Sequence, residues 1–339
     1  MDGVSVFVGS LLIVVAVVGG IARRRDERDD RNDRNRRRFF VAFLGLFLAA
    51  SISPRDLLWI YVGFEVFSLS ETPFRARALV GSGIALFGVL LIAVSTRATD
   101  LAAIEPKTAV NVGITLFVAG LIIKWLRARA EPFLFLGASV ALVAVFVRVQ
   151  AWAPGIADEL ETMTWLVGAA AIVAGGVGAA LATSTRLLAI WLTIFTVGLA
   201  VVALSGGAPA LPHLLMHLAA SSVLLALVLS GDPSAGTWLV MLSLASVPPF
   251  PGFVTKLALV AGLAPATMTV VAVGLLFAGM GCAREVERPR ITDPRIIDDA
   301  APTRESSWVT LAALATVFVF GLFPEALMGV ATRAASELF

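Results

Sequence analysis

Residues 244–256 read LASVPPFPGFVTK. They lie inside an apolar run, 236–263, that is too long for one straight span and is interrupted by Pro248, Pro249, Pro251 and Gly252. Proline lacks a backbone donor and clashes with the preceding helical turn, so the run predicts one discontinuous helix. Lipid offers no partner to the backbone groups a break sets free. The break must therefore be buried in protein or line a wet cavity. Lys256 follows it directly.

The rest of the chain supplies the membrane context. Of 339 residues, 58% are hydrophobic, and the mean hydropathy is +0.92. Soluble domains average about 45–50% apolar residues, so the excess calls for an apolar solvent. A spanning helix needs roughly 20 mostly apolar residues. On that measure the chain predicts an all-α, polytopic membrane protein with spans at 3–22, 39–53, 55–72, 77–97, 108–127, 132–152, 163–182, 187–205, 209–230, 236–263, 266–282 and 308–332. Pro54 is expected in a tight turn between two of them. The first stretch, Val4 to Ala22, lacks a basic n-region and reads as a spanning helix, not a cleavable signal.

Loop charges give an orientation. Arg23 to Arg38 holds nine arginines and five acids, and the loop from Arg284 to Arg304 holds five arginines. Arg75, Arg77, Arg127, Arg129 and Arg186 fall on the same side. The opposite side carries Ser51 to Asp56 with one arginine, a sparsely charged stretch from Asp100 to Lys107, and Ala153 to Met163 with acids and no base. By the positive-inside rule, both termini are expected outside. The Arg23–Arg38 run reads as a topology anchor, with anionic lipid as the alternative ligand. Its interleaved acids speak against nucleic acid.

Three lysines stand against 23 arginines. Lys107 is in a loop, whereas Lys124 (GLIIKWL) and Lys256 (GFVTKLAL) lie in apolar segments. Arginine stays charged, but a buried lysine can exchange a proton. The alternative for Lys124 is snorkelling from a helix end. Glu65, in LLWIYVGFEVFSLS, has no base nearby in sequence and must be neutral or paired across helices. Lys124 is the natural partner, and a purely structural ion pair is the competing role. Ser68 and Ser70 follow Glu65 and could bond to backbone or water.

His213, His217 and Ser221 recur at i, i+4 and i+8, on one helix face. These two histidines are the only ones in the chain. With no HExxH motif and a single cysteine, Cys282, a metal centre lacks ligands. A water-contacting, proton-carrying stripe and plain packing remain as readings. No Walker motif, CxxC pair or haem signature points to cofactor chemistry in this chain. Gly175, Gly176 and Gly178 suit close helix packing.

These segments resemble a known family, the antiporter-like membrane subunits of respiratory complex I, related to multisubunit cation/proton antiporters. FFVAFLGLFLAASISPRDLLWIYVGFEVFSLS (39–70) looks like the family's fourth and fifth helices, with Glu65 in the Glu-x-x-Ser-Leu pattern. GLIIKWLRARAEPF (120–133) resembles the seventh helix with its essential lysine, here Lys124. HLLMHLAASSVLLAL (213–227) is similar to the eleventh, LASVPPFPGFVTK to the broken twelfth with Lys256, and GLFPEAL (321–327) to part of the last. The resemblance covers roughly 39–332, and its most specific piece is VPPFPGFVTK.

It implies two inverted five-helix repeats, at 39–152 and 161–282. Before them stand a helix and basic loop (1–38), and after them a loop and helix (283–339). It also implies proton translocation through Glu65, Lys124, His213, His217 and Lys256 in an NADH:quinone oxidoreductase. The chain would hold no cofactor itself; FMN, iron–sulfur clusters and quinone would sit in partner subunits. Other membrane subunits and lipid are the expected partners, in a bacterial cell membrane.

The chain departs from the family in several places. One span precedes the first repeat where three are common, which most resembles the subunit N (subunit 2) type. The eighth helix carries Ser139 and Val140 where a central base is usual, with Arg148 farther along. The loop after Lys124 is short and its helix lacks a proline break, and Ser221 or Ser222 stands where some members have lysine. Bridging water or a non-pumping structural subunit are the readings these gaps leave open. A hydrogenase or cation/proton antiporter subunit is the alternative assembly.

Overall fold

The computed structural model describes residues 2–26, 32–52, 55–69, 76–105, 107–204, 208–230, 236–248, 250–261, 263–287, 311, 315, 319, 321 and 323–338. Its helices are α1 (Gly3–Asp26), α2 (Asn32–Phe47), α3 (Leu57–Leu69), α4 (Ala76–Thr96), α5 (Thr108–Arg127), α6 (Pro132–Trp152) and α7 (Pro154–Ala180). They continue with α8 (Thr185–Ala203), α9 (Leu211–Leu229), α10 (Gly236–Leu244), α11 (Pro251–Val260), α12 (Pro265–Glu287) and α13 (Pro324–Ser336). Eight of these helices are long and apolar enough to cross a membrane.

Several boundaries differ from the hydropathy reading, for one physical reason: helices continue past the point where lipid-compatible residues stop. α1 runs on to Asp26, α2 begins at Asn32 and α12 extends to Glu287. α7 begins at Pro154, so the expected acidic loop is its first turns; proline at the first helical position suits its fixed φ and missing donor. α2 passes into a π-helical turn, Leu48–Ile52. Between α2 and α3 and between α4 and α5 the chain is tied by Leu57 N to Thr99 O (2.9 Å) and Leu101 N to Arg55 O (2.8 Å). Pro54 and eleven residues of the expected span 308–332 lie outside the described residues.

Glycine governs the tightest helix contacts. A Cβ on Gly88 would stand 2.5 Å from the Gly113 carbonyl, and one on Gly120 would stand 2.6 Å from the Gly81 carbonyl, so α4 and α5 touch backbone to backbone. The expected role of Gly175, Gly176 and Gly178 is met too: Gly175 abuts the Phe195 backbone, Gly176 abuts Gly274, and Gly178 lies under the Trp191 ring. Among apolar side chains the lipid-like surroundings give no hydrophobic drive between helices, so such close fits hold the bundle. α6, α8 and α9 form its interior, and α4 is mostly exposed.

Candidate functional site

The expected break is present. α10 ends at Leu244, α11 begins at Pro251, and the chain turns between them with Ser246 at φ 65 and Val247 N bonded to Leu242 O (3.0 Å). Gly252 is required there by close approach: its N–H donates to Ser243 Oγ at 3.0 Å, and a Cβ would collide with the Ser243 carbonyl. Pro248 is exposed in the turn; Pro249 lies outside the described residues.

Lys256 sits in the second turn of α11, 4% exposed. Its ammonium donates to the Leu244 carbonyl (2.6 Å) and Ser246 Oγ (2.9 Å), and lies 5.7 Å from the centroid of the Phe195 ring. The last carbonyls of a helix have no intrahelical partner and carry the negative end of its dipole. Breaking the helix thus creates the acceptor that the lysine uses.

Lys124 is in the last turn of α5 but 2% exposed, because a helical side chain leans back toward the N-terminus, here into the bundle. It does not snorkel. Its Nζ lies 2.8 Å from Glu65 Oε1 and donates to Ser68 Oγ at 3.0 Å. Ser68 donates onward to the Phe64 carbonyl (2.9 Å), and Ser82 of α4 donates to Glu65 Oε2 (3.0 Å). The structure therefore brings Glu65, Lys124 and Ser68 together. Ser70 lies outside the described residues.

On α9, His217 is wholly buried and Ser221 nearly so. His217 Nδ1 lies 3.3 Å from Ser221 Oγ and 3.4 Å from Thr255 Oγ1, the neighbour of Lys256. His213, one turn away, is half-buried. His213 Nδ1, His217 Nε2 and Ser222 Oγ are buried without a hydrogen-bond partner among the described residues. Buried polar groups that protein leaves unmet are ordinarily met by water.

Sequence reasoning missed six participants: Ser82, Ser243, Ser246, Thr255, Phe195 and the Leu244 carbonyl. Ser82 and Thr255 carried a faint signal, as hydroxyls in apolar helices. Phe195 and a backbone carbonyl carried none. Ser139 is also more than a gap. It accepts from the Trp125 indole (2.7 Å), donates to the Phe135 carbonyl (2.7 Å), and lies beside the Trp125–Phe135 ring stack.

This helical membrane bundle with one broken helix resembles, in fold, chains of several solved membrane complexes. The fold matches chains of the Mrp complex from Dietzia sp. DQ12-45-1b (TM-score 0.79, 18% identity, 100% of this chain and 84% of that one) and of respiratory complex I from Thermus thermophilus (0.73, 21%, 97% and 86%). It also matches the archaeal membrane-bound sulfane sulfur reductase (0.75, 17%, 98% and 82%). Among curated proteins, NADH-quinone oxidoreductase subunit N of Laribacter hongkongensis (strain HLHK9) is 27% identical over 300 residues, 68% of this chain. The alignment spans 61% of that relative's length. No family model matches the chain.

Proposed function

We propose that this chain is a proton-translocating, antiporter-like membrane subunit of an NADH:quinone oxidoreductase of the complex I type. The observation that carries the reading is the Lys124–Glu65 pair at 2.8 Å, with the lysine buried and the carboxylate partly so, held in a fold of this kind. A buried ion pair is poor value for stability alone, since desolvation offsets much of its attraction. As a switch it is effective. Withdrawing the carboxylate leaves the ammonium without its counter-charge and favours release of its proton.

His213 and His217 would carry protons through the middle, with Thr255 linking His217 to the segment of Lys256 at the exit side. We further read 39–152 and 161–282 as inverted repeats, which puts Lys124 and Lys256 on the fourth helix of each. The termini would face outward from a bacterial cell membrane. FMN, iron–sulfur clusters and quinone would belong to partner subunits, so redox energy reaches this chain through its neighbours.

The test is pumping stoichiometry in the native complex, reconstituted with Lys124→Ala or Lys256→Ala. Fewer protons per electron with assembly intact is expected; wild-type stoichiometry in both variants would overturn the reading. One observation favours a second reading, a bridging subunit that does not pump. Trp125 and Phe135 satisfy Ser139, so the centre of α6 offers no titratable group between the lysines. The similarity to an Mrp complex chain keeps an antiporter assembly as the alternative setting, and the identity of co-purifying subunits decides between them.

A further inference from the structure

Arg148, near the end of α6, is buried more completely than either lysine, at 0% exposure. Its Nη2 donates to Ser5 Oγ of α1 (3.2 Å) and to the Ala50 carbonyl in the π-helical turn. Ser5 in turn donates to Asp2 Oδ1 at 2.9 Å. The guanidinium carbon lies 6.0 Å from the centroid of the Trp152 ring, whose face also meets Arg55 at 5.0 Å. No carboxylate pairs with Arg148 directly among the described residues.

Its Nε and Nη1 have no hydrogen-bond partner among the described residues, and neither has Ser51 Oγ, which is equally buried. Ser51 adjoins Ala50. Its hydroxyl stands 2.8 Å from where a Cβ on Gly9 would be, one turn of α1 beyond Ser5. The unmet donors thus gather at one corner, where α1, the π turn and α6 converge.

Arginine stays ionised, and an ionised group left unsolvated in a protein interior costs several kcal/mol. The five guanidinium N–H groups fan out in a plane, so the Nε and Nη1 donors point in different directions and one small anion cannot meet both. Several small acceptors can. Buried water is the ordinary occupant of such sites, making about three hydrogen bonds each.

We propose that Arg148 and Ser51 hold a cluster of buried water at this corner, and that the fixed charge of Arg148 makes the corner a barrier to protons and other cations. A wet pocket beside the Asp2 end of the bundle shortens the dry path across the membrane. A guanidinium that does not give up its proton opposes cation entry there, as fixed positive charges do in selective pores. This role is separate from the Glu65–Lys256 line and needs no turnover to be measured.

The test uses the full chain in liposomes, with passive proton entry followed by an internal pH dye under an imposed potential. Arg148→Met keeps the length and removes the charge; leak should rise at least about tenfold, a floor for the loss of one buried unit charge. Arg148→Lys keeps the charge and should leave leak near wild type. Unchanged leak in a folded Arg148→Met protein overturns the barrier. An electron cryomicroscopy map of the wild-type chain provides the second arm and does not depend on any variant folding. Solvent density within hydrogen-bond distance of Nε, Nη1 and Ser51 Oγ supports the water cluster, and a dry or protein-filled corner overturns it.

Discussion

Lys124 and Lys256 are both buried cations, but their surroundings differ in kind. Lys124 faces a carboxylate, Glu65, whose second oxygen accepts from Ser82. Lys256 faces neutral groups: a helix-end carbonyl, a serine hydroxyl and an aromatic face. The first is a charge pair on separate helices, α3 and α5, that motion of either helix can open. The second is a cradle built almost wholly from the helix break that precedes the lysine. A proton on Lys124 is controlled by where Glu65 goes. A proton on Lys256 is controlled by whether the break keeps its shape.

The contrast is tested most severely by removing one partner on each side. Glu65→Ala strands the Lys124 charge and should lower stability of the purified chain by about 2–3 kcal/mol, the cost of breaking a buried pair reduced because the Glu65 side chain is 28% exposed. Lys256→Met removes the charge itself and leaves only the Leu244 carbonyl and Ser246 unmet, so a loss of about 1–2 kcal/mol is expected. Thermal or denaturant unfolding followed by intrinsic fluorescence measures both. Equal losses would mean that the two cations are held alike.

Gly252 sharpens the second half of the comparison. Gly252→Ala drives a methyl into the Ser243 carbonyl and should cost about 1–3 kcal/mol through overpacking. Gly83→Ala is the control: nothing stands within 4 Å of the added Cβ, and alanine favours a helix by up to about 1 kcal/mol. If both substitutions are neutral by the same unfolding measurement, the break is not a fixed cradle.

How far each centre could be read beforehand follows from the same difference. Glu65 and Lys124 stand out in the sequence because ionisable residues in apolar runs are costly and need each other. The break was legible from Pro248, Pro251 and Gly252, since prolines and glycine act on their own backbone. The partners of Lys256 were not: a backbone carbonyl has no residue identity, and Phe195 looks like any other core aromatic until the Lys256 side chain is placed near its ring. Ser139 was legible only as a missing base, because its bond to Trp125 depends on how α5 and α6 meet. The start of α7 was misplaced because hydropathy locates lipid contact and not helix ends.

The Phe195 contact carries the next smaller effect. A cation over an aromatic face is worth about 0.5–1 kcal/mol where exposed and about 2 kcal/mol where desolvated; for the buried Lys256, 5.7 Å from the ring centroid and so near the limit of reach, about 1 kcal/mol is expected. A double-mutant cycle of Phe195→Leu with Lys256→Met should return a coupling of about that size. The matching cycle of Glu65→Gln with Lys124→Gln should return a clearly larger one. A coupling near zero for the first cycle would leave Phe195 as packing alone and reduce the Lys256 cradle to the carbonyl and Ser246.

The smallest expected change is at Thr255, whose hydroxyl lies at the long distance of 3.4 Å from His217 Nδ1. Thr255→Val keeps the branched shape and removes the hydroxyl. Ser221 remains 3.3 Å from the same nitrogen, so stability should change by about 0.5 kcal/mol or less, below the ordinary worth of one hydrogen bond. Proton transfer is the more sensitive readout, because a relay depends on continuity and not on bond strength. If His217 hands protons toward Lys256 through Thr255, the valine variant lowers pumping in the native complex while its unfolding curve overlays that of wild type. Unchanged pumping would show that the histidine stripe and Lys256 communicate by another route, and that the resemblance between the two lysines ends at their burial.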